Sequence, residues 1–277
     1  MRTQSSIKNL EVDSTEVSYK KGTLVHQIWI GPKPPPQIWM ETVKQFCADF
    51  GHQYKLWDNQ EVQTLNLSSY PGISNLYEFY LHSTTKDKWA AQADILRYII
   101  LYERGGIFVD ADSAIVNGKR FDRLLREFRT GILCGSENKD GLIANGVILT
   151  NQYNHIMKFA IDELPLFVAE NPNKPVWQQT GPSFITHIFR KYQLRYPNEL
   201  IVVPKHWFYP MDWHGIEDPN AHKKIKFHPD TMMFQYGYTT NNFAAKLEQG
   251  KVKSDHMYIV LIALGALYVM SLLNKGV

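Results

Sequence analysis

The run DKWAAQADILRYIILYERGGIFVDADS, residues 87–113, constrains the fold more than any other stretch of the chain. Ala91, Ile95, Tyr98, Ile99 and Tyr102 recur at helical spacing, and Gly105 follows as a stop. Ile107, Phe108 and Val109 then read as a buried strand that runs on to Asp110 and Asp112. A helix feeding a buried strand is the unit of an α/β sheet, and such sheets gather ligands beyond the carboxyl ends of their strands. Two carboxylates therefore stand where a ligand is expected.

The surrounding elements extend that reading. LVHQIWIG, from Leu24 to Gly31, is a buried strand followed by the PKPPP loop, and Ile38 to Phe50 has helical spacing. YKLWD is a second short strand, with Asp58 and Asn59 placed to cap the helix after it. The order strand, helix, strand, helix, helix, strand implies α/β layers over a mainly parallel central sheet with flanking helices. GILCG, GVILT, LIVVP and HWFYP read as further strands, and Phe121 to Phe128 and Ile156 to Ala169 as helices. No linker interrupts residues 23–250, so they form one domain. At 277 residues and 44% hydrophobic content the chain buries a full core.

Charge is nearly balanced, 30 basic against 27 acidic residues, with no basic run, so nucleic acid is not an expected partner. Cys47 and Cys134 have no metal-site spacing; two free core thiols in a reducing compartment are expected, with one disulfide the alternative. Residues 1–22 form a polar leader without the apolar centre of a signal peptide. Residues 257–273, MYIVLIALGALYVMSLL, carry no charge and are apolar on every face, which suits a C-terminal transmembrane helix; a buried core helix is the alternative. Lys246, Lys251 and Lys253 before it, against Lys275 after it, favour a cytosolic catalytic domain on a single-pass tail anchor. On that reading the NLS at Asn66 is not a glycosylation signal.

In an extended segment residues i and i+2 face the same way, so Asp110 and Asp112 are expected to converge. Two close anions repel, and a divalent cation relieves the conflict. An all-carboxylate site suits a hard ion, Mg²⁺ or Mn²⁺, which usually binds substrate phosphate as well. The bland alternative is a strand-end turn whose aspartates satisfy local backbone donors. Asp94 and Arg97 share a helix face away from Ile95 and Ile99. They read either as a surface ion pair or as a pair that holds a polyhydroxyl ligand or phosphate.

VHQIWIG together with WAAQADILRYIILYERGGIFVDADS resembles the sugar-binding region of the D-x-D glycosyltransferases of family 32, which share a core with the glucosylating toxins. The match is strong from about Leu24 to Asn117 and looser through ANGVILT and TGPSFIT. It implies a GT-A-type fold, a nucleotide-sugar donor, Mn²⁺ or Mg²⁺, and transfer to a glycan, lipid or protein acceptor with retention at the anomeric carbon. Carried over by position, Trp29 flanks the base, and Asp94 and Arg97 contact donor sugar and phosphate. Asp110 contacts sugar or ribose and, through water, the metal; Asp112 binds the metal directly. Asn145 and Thr180-Gly181-Pro182 fall on the acceptor side.

The C-terminal part departs from the family's His and, five residues on, Ser-Trp. QYGYTTNNF places Gln235, Thr240 and Asn241 there, so that Gln235 and Thr240 become metal or phosphate ligands and the indole is lost; a slip in that alignment would make His228 the counterpart instead. Two rivals accompany the transferase reading. One is a non-catalytic, membrane-tethered sugar-nucleotide binder. The other is an aspartate-nucleophile phosphatase, which needs a downstream acidic pair, and Glu217 and Asp218 are the only adjacent pair after Asp112.

Overall fold

The computed structural model describes residues 22–138, 140–212, 216–238, 241–243 and 245–247. The leader 1–21, Thr240 and the apolar run 257–273 lie outside the described residues. No helix among the described residues is long and apolar enough to cross a membrane.

The central sheet has six strands: β1 (Leu24–Ile28), β2 (Gln53–Trp57), β3 (Gly106–Val109), β5 (Ile132–Ser136), β6 (Ile143–Thr150) and β7 (Leu200–Val203). They lie in the order β2-β1-β3-β6-β5-β7, and the short strands β4 (Ser113–Ile115) and β8 (Met233–Gln235) form a separate antiparallel ribbon. Pairing is parallel for β1 with β2 and β3 and for β5 with β7, but β6 is antiparallel to both its neighbours. Five strands thus run one way and β6 runs against them, so the sheet is mixed. The consequence for the site is direct: the start of β6 lies on the same rim as the ends of β1, β3 and β5.

Alternation along the strands divides the core between two faces. Phe108, Cys134 and Ile148 pack on one face with Ile95, Ile99 and Phe184, from helices α2 (Pro71–His82), α3 (Lys88–Arg104), α5 (His155–Glu170) and α7 (Pro182–Tyr192). Ile107, Val109, Leu133, Val147 and Leu149 pack on the other with Val43, Phe46 and Phe121, from α1 (Gln37–Phe50) and α4 (Gly118–Glu127). Both cysteines are buried and free, as expected of core thiols, with burial pushing Cys47 up to about 12.

Asp58 caps its turn as expected, its Oδ1 accepting from the backbone N–H of Gln60 and Glu61 at 2.9 and 2.8 Å. The Gly105-Gly106 corner between α3 and β3 needs φ of +62° and +87° at two successive residues. A side chain on Gly106 would run into the Leu24 carbonyl, so this pair also lets β3 lie close against β1.

Two expectations need correction. HWFYP is not a strand: Lys205–Trp207 is a 3-10 turn between Pro204 and Pro210, with the Lys205 carbonyl accepting from Phe208 and Tyr209. Nor does the third strand continue through the aspartates. β3 ends at Val109, and the chain turns, with Ser113 N–H donating to Asp110 C=O at 3.0 Å, before β4 begins.

Candidate active site

Asp110 is fixed by its backbone before its carboxylate acts. Its N–H donates to Gly146 C=O at 2.8 Å, prolonging the β3–β6 ladder, and its C=O accepts from Gln27 Nε2 at 3.2 Å. Asp112 is fixed by the chain just after β8: its C=O accepts from Tyr236 N–H at 2.9 Å and its Oδ2 from Tyr238 N–H at 2.8 Å. The two carboxylates converge across the turn. Gln235 Nε2 donates to Asp110 Oδ2 at 2.9 Å and lies 3.4 Å from Asp112 Oδ1. The convergence expected from an extended strand is therefore achieved by a turn closed from the far side by β8.

Behind this corner lies a buried ionic network. Arg97 is 5% exposed and donates through Nη2 to Asp110 Oδ1 at 2.9 Å and through Nη1 to Asn145 C=O at 2.7 Å, with Asp94 Oδ1 at 3.1 Å. Its guanidinium also stacks 4.1 Å from the centre of the Phe108 ring. Asp94, 7% exposed, accepts from Asn145 Nδ2 and Thr180 Oγ1, both at 2.8 Å. Thr180 is positioned in turn by Tyr98 Oη, which donates to its C=O at 2.8 Å. The surface alternative for this pair is thus ruled out, because α3 is buried from Asp94 to Leu101, where it packs against the sheet, α2 and α5. Asn145 and Thr180 spend their side chains on Asp94, and a Cβ on Gly181 would come within 3.3 Å of its Oδ2.

Trp29 stands half-exposed just past β1, its Nε1 donating to Lys33 C=O at 2.8 Å and its ring edge-on to Tyr238 at 5.2 Å. It is therefore linked to Asp112 through Tyr238. His228 lies beside His206 and Asp230, and Gln235 is the residue that meets both aspartates.

Three participants were not read from the sequence. Glu137 follows the end of β5, and its Oε2 is buried with no hydrogen-bond partner among the described residues. Tyr209 Oη is equally buried and unpartnered. Both feel the charge of Asp110, which with burial raises the Glu137 carboxyl and holds the Tyr209 phenol well above its ordinary value. Gly146 makes the room: a side chain there would collide with Asp110 Oδ2 and approach Tyr209 Oη at 3.1 Å. Short motifs carry no signal for such groups, since a lone Glu and a lone Tyr become site residues only through the sheet.

Burial and the neighbouring Asp110 charge push the Asp112 carboxyl up to about 6. Burial also raises Asp94, outweighing the attraction of Arg97. Three carboxyl groups, those of Asp94, Asp110 and Asp112, thus share one buried cation, Arg97. Oδ1 of Asp110 belongs to Arg97 and Oδ2 of Asp112 to Tyr238, which leaves Asp110 Oδ2 and Asp112 Oδ1 facing one another across the Gln235 amide. Two carboxylate oxygens, plus the amide oxygen of Gln235 if that group turns over, make an all-oxygen donor set that fits Mg²⁺ or Mn²⁺.

Similarity to known proteins covers the stretch that carries the corner. Residues 36–128 match the family described as "Glycosyltransferase sugar-binding region containing DXD motif". The matched segment holds α3, β3 and both aspartates. An inositol phosphoceramide mannosyltransferase of Schizosaccharomyces pombe (strain 972 / ATCC 24843) is 27% identical over 175 residues, 60% of this chain and 44% of that one. A protein of Acanthamoeba polyphaga mimivirus described as an uncharacterized glycosyltransferase is 22% identical over 86% of this chain and 90% of its own. Among solved structures, PaToxG glycosyltransferase is 20% identical with a TM-score of 0.47, over 64% of this chain and 70% of that one. The chain spans about half the length of the yeast relatives it matches.

Proposed function

We propose that the protein is a metal-dependent glycosyltransferase of GT-A type, moving a sugar from a nucleotide-sugar donor to an acceptor hydroxyl with retention of anomeric configuration. The observation that carries this reading is the pair of facing oxygens, Asp110 Oδ2 and Asp112 Oδ1, backed by the Arg97–Asp94 network in a matched D-x-D region.

In this reading Asp112 and Asp110 hold Mn²⁺ or Mg²⁺, with Gln235 as the adjoining polar ligand. The ion, when bound, neutralises charge developing on the diphosphate leaving group. Arg97 works through its neighbours: with both terminal nitrogens committed, it keeps Asp110 aimed at the rim and Asp94 beside the sugar-binding wall. Asp94 has further lone pairs for a donor-sugar hydroxyl. Trp29 flanks the base with its half-exposed indole. In the front-face course implied by retention, the bond from the anomeric carbon to the acceptor oxygen forms as the bond to the diphosphate oxygen breaks. The acceptor's proton passes to that departing oxygen, and no side-chain base is required.

The names of the yeast relatives favour a mannosyl donor and an inositol phosphate lipid headgroup as acceptor. An acceptor of that kind suits a chain anchored by residues 257–273 with its catalytic domain on the cytosolic side, and we extend the proposal to that placement. The phosphatase reading is not favoured: Asp110 is held by Arg97 rather than freed for attack, and Asp218 pairs with Lys224 at 2.6 Å.

Incubation with a panel of nucleotide sugars, with Mn²⁺ or with EDTA and without acceptor, tests the proposal through release of nucleoside diphosphate. One donor consumed with metal, and spared after Asp112→Asn, is the expected result. Metal-dependent binding without turnover would replace the enzyme with a sugar-nucleotide binder.

A further inference from the structure

A second polar cluster lies at the other end of the β4–β8 ribbon. His206 sits in the 3-10 turn after β7, and His228 and Asp230 in the loop that leads into β8. One ligand-type atom from each lies within 4.8 Å of the other two, the group of this kind found among the described residues. The two imidazoles meet at 60°, with ring centres 4.4 Å apart.

Three features make the cluster more than a coincidence of side chains. First, His206 Nε2 is buried and has no hydrogen-bond partner among the described residues, a state that costs free energy unless a ligand completes it. Second, Asp230 is already oriented. Its Oδ1 is held by Arg120 Nη2 at 2.9 Å, which leaves Oδ2 toward His228 Nδ1 at 4.0 Å. Oriented outer partners of this kind are what metal-ligating carboxylates use. Third, the backbone joins the two segments independently of the side chains: Thr231 Oγ1 donates to His206 C=O at 2.7 Å, and Thr231 N–H to His228 C=O at 2.9 Å.

We propose that His206, His228 and Asp230 form a binding site for a transition-metal dication of the zinc class, separate from the D-x-D corner. Two imidazole nitrogens and one carboxylate oxygen suit a borderline ion and not Mg²⁺, and three protein ligands leave a fourth position to water. His228 Nδ1 now accepts from Asp230 N–H at 3.1 Å and would give up that bond to the ion. The neighbouring Arg120 charge opposes a cation, so weaker binding than at a structural zinc site is expected.

The ion's role is set by the path of the chain. Asp230 precedes Gln235 by five residues, about 16 Å of extended chain at roughly 3.3 Å per residue. An ion here braces the loop that enters β8, and β8 delivers Gln235, Tyr236 and Tyr238 to Asp110 and Asp112.

The full chain carrying Asp112→Asn, stripped of metal and equilibrated with Zn²⁺, tests the site without interference from the D-x-D corner. Zinc per chain is then read by dialysis and elemental analysis. The expected result is about one Zn²⁺ per chain, undisturbed by excess Mg²⁺, and at least tenfold weaker in added His206→Ala or His228→Ala. His228 is exposed, so its replacement leaves the fold intact, and an unchanged circular dichroism melt without zinc verifies this. No retained zinc, or equal retention in both histidine variants, would overturn the site.

Discussion

Asp110 Oδ1 lies 2.9 Å from Arg97 Nη2, and the same guanidinium reaches Asp94 Oδ1 at 3.1 Å through its other terminal nitrogen. One buried cation thus joins the helix before the D-x-D turn to the turn itself. Because Arg97 and Asp94 are nearly out of water, the pair is a matter of placement more than of stability.

Removing the cation alone should be costly. Arg97→Met leaves Asp94 and Asp110 without their counter-charge, and a loss of about 3–5 kcal/mol is expected in chemical denaturation. Adding Asp94→Asn to that variant should recover part of the loss, because one stranded charge is gone. A loss below about 1 kcal/mol in Arg97→Met would mean that the network is not closed in the way its distances indicate.

Tyr209 offers the opposite contrast. Its hydroxyl is buried and unpartnered beside Asp110, so Tyr209→Phe removes an unsatisfied donor and should leave the melting temperature unchanged or slightly raised. Donor hydrolysis in the same variant should fall at least tenfold, since we take this hydroxyl to serve the ligand. A structural hydroxyl would give the reverse pattern, a lower melting temperature with activity kept.

Much of this arrangement was legible in the residues. The period of Ala91, Ile95, Tyr98, Ile99 and Tyr102 and the Gly-Gly break place α3 and β3 where they are found. The turn at Asp110 was not legible, because residues i and i+2 converge in a strand and converge here again through Gln235, 123 positions beyond Asp112. HWFYP misled because its aromatic run suits a strand while its flanking prolines demand a turn. The bonds from the Asn145 and Thr180 side chains to Asp94 could not be read either, because they depend on the reversal of β6 and on the approach of α6 (Val176–Gln179) and α7 to α3.

Gly146 should tolerate no side chain. Gly146→Ala pushes Asp110 Oδ2 from its place while Arg97 holds the other oxygen. The expected result is Mn²⁺ affinity at least tenfold weaker by calorimetry in a folded protein. Affinity equal to that of the unsubstituted chain would place the metal elsewhere.

His26 predicts an acid limit to stability. Its Nδ1 accepts from Trp57 Nε1 at 3.1 Å and its Nε2 donates to Gly105 C=O at 2.9 Å, so the neutral ring is fully used. Burial lowers it from 6.5 to about 4. Between those values the unfolded chain holds a proton that the folded chain does not. Its contribution is therefore full above pH 6.5 and declines by about 1.4 kcal/mol per pH unit down to about pH 4. Unfolding free energies measured across that range should lose this slope in His26→Gln, and an unchanged slope would assign the acid limit to other groups.

The central claim is that Asp110 and Asp112 together hold a cation that binds a nucleotide sugar. The most direct measurement is calorimetric binding of a nucleoside diphosphate, the part common to all such donors, with Mn²⁺ or EDTA, to the full chain and to Asp112→Asn. The account predicts binding that requires Mn²⁺ and weakens at least tenfold in the variant. It also predicts binding that strengthens as pH rises through about 6, where Asp112 gives up its proton. Binding indifferent to Mn²⁺ and to Asp112, or no binding of any nucleoside diphosphate, would contradict it.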